Sequence, residues 1–183
     1  MKKICFLIGN LNNAGGTEKV TTMIANTLSE NHCEVFILNL SEGDKPFFET
    51  SSNVKIFSLF SKPVSFKSNY FSAVCRIRNF IRDNKIDSLV VVDSISCLFT
   101  IPALFGLGVN HICWEHFNFK NNNGTKLRDL ARKLAAHYCQ TVVTLTNRDR
   151  QMWLTYLKTV NAEIHAIPNP IDSQLEKNVP SQN

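Results

Sequence analysis

Residues 3–28 read KICFLIGNLNNAGGTEKVTTMIANTL and contain three successive patterns. The first is a continuous apolar run that ends at Ile8, the second is a polar loop with paired glycines, and the third has apolar residues at helical spacing. A near-continuous apolar run is typical of a strand that is buried on both faces of a parallel sheet. The third segment places Val20, Ile24 and Leu28 on one face of a helix. This stretch therefore predicts a β-strand, a glycine-containing loop and an α-helix.

The same alternation continues along the rest of the chain. Strands are predicted at 3–8, 34–40, 54–60, 87–92, 110–114, 141–145 and 163–167. Helices are predicted at 17–31, 69–85, 95–107, 124–138 and 147–158. About seven strands alternating with about five helices is the pattern of right-handed βαβ units. The sequence therefore predicts an α/β fold, a Rossmann-like doubly wound parallel sheet of about seven strands.

The composition is that of one globular domain. The chain has 183 residues, of which 44% are apolar and 19% are charged, and this length is enough for a single core. Residues 1–168 are predicted to form the domain, and the polar residues 169–183 a connector or tail toward an absent second domain. The basic and apolar start suits a signal peptide, but the apolar run ends at Gly9 without a small-residue cleavage site. A cytoplasmic protein is therefore expected.

The net charge and the cysteine content exclude only a few classes of partner and cofactor. The net charge of +5 suits a phosphate, a nucleotide, a lipid headgroup or nucleic acid, and equally a solvated surface without a partner. Nucleic acid is disfavoured because no recognition motif is present. The six cysteines form no metal knuckle and no CxxC pair, and most lie in apolar runs. Free buried thiols are expected, and neither a metal nor an organic cofactor.

The loop after the first predicted strand is the first candidate site. Ligands of open parallel sheets bind at the carboxyl ends of the strands. Gly15 and Gly16 permit close approach of a ligand and positive φ, and the helix that follows offers free N–H groups to a phosphate. The spacing fits neither GxGxxG nor a P-loop. Taken alone, the two glycines are explained slightly better by a plain strand-to-helix turn.

Two further strand ends carry candidate ligand-binding residues. Glu115, His116 and Asn118 follow the strand at 110–114 and could form hydrogen bonds with a polar substrate, although a structural histidine among aromatic residues is an equal alternative. Thr146 follows a later strand, where either it or Asn147 is expected to cap the next helix, and Thr146 could also contact a substrate.

Four segments, in this order, resemble the N-terminal half of a GT-B glycosyltransferase. The family is the large retaining one that is typical of bacterial polysaccharide and lipopolysaccharide assembly. The matching segments are GGTEKV at 15–20, WEHFN at 114–118, VVTLT at 142–146 and IPNPID at 167–172. Each segment is weak evidence alone, but together they follow the family's order over almost the whole chain.

The resemblance implies a role for particular residues. Gly15 and Gly16 would lie near the phosphates and sugar of a nucleotide-sugar donor, and Glu18 and Lys19 at the start of the adjoining helix. His116 would bind the transferred sugar or assist catalysis. No essential metal is implied. The acceptor would be a glycan or a lipid-linked sugar in cell-surface polysaccharide biosynthesis.

The family's second domain, which grips the donor, is not found in these residues. Little or no transfer is therefore expected of residues 1–183 alone, and a partner chain could supply the other half. Two alternatives remain open. The chain could be a non-catalytic acceptor-binding or scaffolding subunit, or a fragment of a nucleotide-sugar epimerase of the same architecture.

Two predicted helices could place the protein at the inner face of the cell membrane. The helix at 124–138 is predicted to bury Leu127, Leu130, Ala131 and Leu134. Basic residues cluster on it and on the helix at 69–85, where they could contact anionic lipid or simply face solvent. These basic residues are Arg76, Arg78, Arg82, Lys85, Lys126, Arg128, Arg132 and Lys133.

Overall fold

The protein folds into one seven-stranded sheet whose neighbouring strands are all parallel, in the order β3-β2-β1-β4-β5-β6-β7. The computed structural model describes residues 1–121 and 124–170. The strands are β1 Lys2–Ile8, β2 Cys33–Asn39, β3 Val54–Ser58, β4 Ser88–Val92, β5 Asn110–Trp114, β6 Thr141–Thr144 and β7 Glu163–Ala166. The predicted Rossmann-like doubly wound sheet is confirmed.

Among residues 1–121 and 124–170, five α-helices connect the strands and lie unevenly on the two faces of the sheet. They are α1 Gly16–Glu30, α2 Tyr70–Asp83, α3 Cys97–Leu104, α4 Lys126–Tyr138 and α5 Asn147–Tyr156. One core cluster contains Cys5 and Leu7 of β1 and buried apolar residues of α2 to α5, among them Ile77, Ala135 and Trp153. The other contains Phe6 and Ile8 together with the buried residues of α1. Successive residues of a strand point to opposite faces, so the apolar run of β1 supplies both clusters.

The predicted helix at 95–107 is shorter in the structure than in the sequence pattern. A turn of 3₁₀ helix, Ser94–Ser96, precedes α3, which ends at Leu104. Pro102 lies inside α3 and lacks the N–H that would bond to the carbonyl of Leu98. The hydroxyl of Tyr70 donates a hydrogen bond to that carbonyl instead, at 2.8 Å. An α2 side chain therefore compensates for the proline.

The face that α4 buries differs from the predicted one. Leu127 and Leu130 are 52% and 46% exposed, whereas Arg128 and Arg132 are buried. The prediction was wrong because two carboxylates beneath α4 form ion pairs with these arginines. Arg128 and Arg132 are therefore unavailable to a lipid surface, and the predicted basic cluster on this helix is reduced to Lys126 and Lys133.

The predicted connector lies largely outside the described residues. Its first residues, Asn169 and Pro170, follow β7, whereas 171–183 are not described. Residues 169–183 as a connector toward a second domain therefore remain a prediction. Among the described helices, none has the length and apolarity that crossing a bilayer requires.

Candidate functional site

The candidate site lies at the carboxyl edge of the sheet, around β1, β4 and β5. The strand order reverses between β1 and β4, which is where ligands bind in open α/β sheets. Both β1 and β5 pair with β4, so their ends are separated by about 10 Å, twice the usual strand spacing. The glycine loop and the segment that begins at Glu115 therefore leave the same edge of the sheet.

Gly15 and Gly16 have different roles at the start of α1. Gly15 is the N-cap, and a Cβ atom at this position would lie 2.1 Å from Oε2 of Glu18. A Cβ atom at Gly16 would meet nothing within 4 Å. Neither glycine adopts the positive φ that its residue type permits. Gly15 instead leaves room for the carboxylate of Glu18, and Gly16 leaves an open surface in front of the helix.

The glycine loop is held in place by side chains of the neighbouring strand and loop. Asn39, buried at the end of β2, accepts a hydrogen bond from the backbone N–H of Leu11 at 2.9 Å. Asn10 donates to the carboxylate of Glu42, also at 2.9 Å. Within the part of the chain that the structure describes, no side chain caps the first turn of α1, so the positive end of its dipole faces the edge. Glu18 and Lys19 lie half-buried in this first turn.

Asp93, the residue after β4, forms an ion pair with Arg128 of α4. Its two carboxylate oxygens accept from the two terminal nitrogens of Arg128, at 2.5 and 2.9 Å. The backbone of Asp93 has a φ of +86°, an uncommon conformation for a residue with a side chain. The guanidinium of Arg128 also lies 4.3 Å from the ring centre of Phe117. Through these two contacts, Arg128 connects the end of β4 with the segment after β5.

Glu115, the residue after β5, is buried in a second ion pair. One of its oxygens accepts from Ser94 at 2.5 Å and from Arg132 at 2.9 Å. The other accepts from the backbone N–H of Phe117 at 3.0 Å. Burial raises the pKa of Glu115, and the attraction of Arg132 offsets part of that effect. Because both oxygens already have partners, this geometry favours a positioning role, and contact with a substrate stays a prediction.

Arg132 also fixes the loop that follows His116. Its terminal nitrogens donate to the backbone carbonyls of Phe119, Asn118 and Asn121, at 2.5, 3.1 and 3.0 Å. One guanidinium thus holds three carbonyls and a carboxylate, and it does so while buried. The conformation of the loop after β5 therefore depends on α4.

His116 has a buried hydrogen-bonding atom without a partner among the described residues, as does Arg128 at Nε. In His116 this atom is Nε2. The ring packs on Trp114, with 4.3 Å between the ring centres. Burial lowers the pKa of His116 to about 4, and the attraction of Asp93 opposes that shift. The imidazole is therefore neutral near pH 7 and can donate or accept a hydrogen bond.

We expect His116 to make the domain less stable in acid. The unfolded histidine binds a proton with a pKa of 6.5 and the folded one at about 4, so between these values the unfolded state binds more protons. The contribution of His116 to the free energy of unfolding is fully present above pH 6.5 and is lost as the pH falls toward 4. For this partly exposed ring the loss is about 1–3 kcal/mol. Urea unfolding of the wild type and of His116→Gln at several pH values measures this loss of stability. If the free energy of unfolding of both proteins changed with pH in the same way, the prediction would be contradicted.

Asn118 and Thr146 already have intramolecular partners. The side-chain oxygen of Asn118 accepts from the backbone N–H of Lys120 at 3.0 Å. Thr146 caps α5, accepting from the backbone N–H of Asp149 at 3.1 Å, which confirms the predicted cap. Asp149 in turn accepts from the backbone N–H of Phe119 at 3.1 Å. Contact of Asn118 or Thr146 with a substrate stays a prediction.

The ion pairs that support this site were not predicted from the sequence. Asp93 and Glu115 each follow a strand, and Arg128 and Arg132 are four residues apart on one helix. Residues at this spacing share a helix face. Two carboxylates at strand ends, together with two arginines on one helix face, were a pattern from which the ion pairs could have been predicted.

Comparison with known proteins gives consistent matches. The family model described as Glycosyltransferase Family 4 matches residues 14–175. An uncharacterised glycosyltransferase of Haemophilus influenzae is 37% identical over 171 residues, which are 93% of this chain and 48% of that protein. The amylovoran biosynthesis glycosyltransferase AmsD of Erwinia amylovora is 26% identical over 156 residues, 82% of this chain and 41% of that protein. The chain thus spans about half the length of these relatives.

Solved structures share the fold. The lipopolysaccharide outer core galactosyltransferase WaaB matches with a TM-score of 0.69 at 17% identity, over 93% of this chain and 46% of that one. HepE of Anabaena, in complex with UDP and glucose, matches with a TM-score of 0.70 at 15% identity, over 99% of this chain and 48% of that one. At these identities the likeness shows the fold alone.

Proposed function

The chain belongs to glycosyltransferase family 4, and on that premise we propose that it forms the acceptor-side half of a retaining GT-B glycosyltransferase. The reaction moves a sugar from a nucleotide-sugar donor to a glycan or lipid-linked acceptor. The observation that carries the proposal is the buried, unpartnered Nε2 of His116 at the carboxyl edge. This edge also holds the open surface at Gly16 and the uncapped start of α1.

The protein must meet three requirements of this reaction. The acceptor hydroxyl must be positioned at the anomeric carbon, the departing diphosphate must be stabilised, and water must be excluded. As the bond from the anomeric carbon to the phosphate oxygen breaks, the acceptor oxygen bonds to that carbon and the diphosphate takes its proton. The start of α1, with Gly15 and Gly16, would face the diphosphate, and His116 would donate a hydrogen bond to the transferred sugar. Glu18 and Lys19 would flank that contact.

A second half that binds most of the nucleotide would complete the cleft, either in a longer chain or as a partner chain. An apolar groove of about 300 Å³ supports this proposal. It is lined by strand residues such as Phe6 and Val90 on the α1 face, and by Ile167 and Pro168 after β7. A packed second half would bury this apolar surface.

A transfer assay tests the proposed function. Residues 1–183 are incubated with a panel of radiolabelled nucleotide-sugars and a membrane glycolipid extract, with and without the donor-binding half of a family relative. We expect little transfer by the chain alone and transfer when the other half is present. Sugar binding without transfer in either arm would favour a scaffolding subunit. Interconversion of the nucleotide-sugar without an acceptor would favour an epimerase.

The names of the relatives support a role in cell-surface polysaccharide assembly. One relative is named for amylovoran biosynthesis, and one structural neighbour for the lipopolysaccharide outer core. We infer that this chain acts on an acceptor of the same broad class, in the cytoplasm and at the inner face of the cell membrane.

The exposed face of α4 is the part that we propose for membrane contact. It combines Lys126 and Lys133 with the exposed side chains of Leu127 and Leu130. A basic helix face with apolar residues suits an anionic lipid surface.

We expect the double variant Leu127→Asp/Leu130→Asp to bind anionic vesicles several-fold more weakly than the wild type, because it removes apolar contact and adds negative charge. Co-sedimentation with phosphatidylglycerol and with phosphatidylcholine vesicles measures the effect. Leu154→Asp is the matched control, since Leu154 is also exposed but lies on α5. Equal wild-type binding to both kinds of vesicle would contradict the electrostatic contribution.

A further inference from the structure

The interior of the domain contains a cluster of sulfur and nitrogen ligands that the proposed transfer does not use. Cys97 begins α3, His111 lies in β5, and Cys139 follows α4. All three are buried, and one potential ligand atom from each lies within 4.8 Å of the other two. We propose that Cys97, His111 and Cys139 bind a Zn²⁺ ion whose fourth coordination position faces an adjacent cavity.

The orientation of His111 suits a metal ligand. Its Nε2 lies 2.9 Å from the hydroxyl of Thr100, which donates in turn to the carbonyl of Ser96 at 3.4 Å. The hydroxyl oxygen of Thr100 is therefore left to accept from Nε2–H. The other ring nitrogen, Nδ1, lies 3.6 Å from Sγ of Cys139. Metal-bound histidines commonly donate their second N–H to such a partner, which fixes the ring.

The distances are close to those of a zinc site. Bonds of about 2.3 Å to sulfur and about 2.0–2.1 Å to nitrogen, in tetrahedral geometry, separate a nitrogen and a sulfur ligand by about 3.5 Å and two sulfurs by about 3.8 Å. The pair formed by His111 and Cys139 already has the first separation, at 3.6 Å. Since no pair exceeds 4.8 Å, the two sulfurs must approach by no more than about 1.0 Å, and a nitrogen and a sulfur by no more than about 1.3 Å.

Charge balance favours zinc at this buried position. Binding releases two thiol protons, and two thiolates, a neutral imidazole and Zn²⁺ sum to zero charge. The same ligands around Cu⁺ would carry a net negative charge. Burial of a net charge is costly. The neutral zinc complex is therefore the better occupant.

A cavity gives the cluster an entry path. It has a volume of about 850 Å³ and is lined by Cys97, His111 and Gln140 together with apolar residues of α3 and α4. A bound ion would join α3, β5 and the end of α4, the helix that carries Arg128 and Arg132. Zinc would therefore stabilise the elements that support the carboxyl edge.

Metal titration of the reduced, chelator-treated 183-residue chain tests the proposal. We expect one equivalent of Zn²⁺ to bind in competition with a chromophoric chelator, and Co²⁺ to give thiolate-to-cobalt charge transfer with tetrahedral d–d bands. His111→Gln and Cys139→Ser should lower the affinity at least about 10-fold. Cys75→Ser should bind as the wild type does, because Cys75 is an exposed residue of α2 outside the cluster.

Thr100→Val keeps the test valid if a ligand variant fails to fold, because it retains all three ligands. Loss of the hydrogen bond to Nε2 should weaken zinc binding about 10–100-fold. Circular dichroism of the metal-free forms verifies that each variant is folded. Absence of stoichiometric binding to the wild type, or equal affinity in Cys139→Ser and Cys75→Ser, would overturn the proposal.

Discussion

Replacement of Arg132 by methionine is expected to lower the free energy of unfolding by roughly 3–5 kcal/mol. The side chains of Arg132 and Glu115 are each 1% exposed, and their charged atoms lie 2.9 Å apart. Methionine fills similar volume but leaves the carboxylate of Glu115 buried with only Ser94, the N–H of Phe117 and the more distant Arg128, at 3.6 Å, as partners. Urea unfolding followed by tryptophan fluorescence measures the loss.

Three controls separate the lost charge from other causes. Lys133→Met changes an exposed lysine one residue further along α4 and should leave the unfolding midpoint nearly unchanged. Arg132→Lys keeps the positive charge but loses the guanidinium group that holds the carbonyls of Asn118, Phe119 and Asn121. Its free energy of unfolding should lie between those of the wild type and Arg132→Met. Glu115→Gln combined with Arg132→Met should recover part of the loss, because no buried charge is then left unpaired. A loss in Arg132→Met below about 1 kcal/mol would show that the ion pair contributes little.

The sheet could be predicted from the sequence because its strands are short apolar runs between polar loops. The predicted 110–114 strand coincides with β5. For the majority of the other strand and helix ends, the predicted and observed positions differ by one to three residues. The apolar pattern failed at α4, where Leu127 and Leu130 were expected to be buried. A periodicity rule counts leucine as core and arginine as surface, and it contains no information on carboxylates that lie beneath the helix.

The site could be predicted only in outline. The rule that ligands bind at the carboxyl ends of strands placed Gly15 and His116 at one edge, as the topology has it. The role of Gly15 could not be predicted, because it depends on the carboxylate of Glu18 folding back over the loop. The cluster of Cys97, His111 and Cys139 was missed for a similar reason. Their separation in sequence conceals the proximity that α3, β5 and α4 create.

Substitution of His116 by alanine is expected to lower kcat/KM for sugar transfer by about 10²-fold, the usual cost of removing one hydrogen bond that stabilises a transition state. His116 follows β5 at the edge where the reaction is proposed, and its Nε2 is buried without a hydrogen-bond partner among the described residues. Since burial holds the pKa of His116 at about 4, this contact should not titrate between about pH 6 and 8. The assay uses the chain together with its donor-binding half.

His165→Ala is the matched control for His116→Ala, because His165 is an exposed histidine of β7 whose recorded side-chain partner is Glu163. It should transfer sugar at the wild-type rate. His116→Gln, which keeps a hydrogen-bonding group, should retain more activity than alanine if Nε2 acts as a donor. Folded His116→Ala with wild-type kcat/KM would contradict any contact between this residue and the reacting sugar. The proposed role would then pass to the start of α1, where Gly16→Val tests it by filling the open surface in front of the helix.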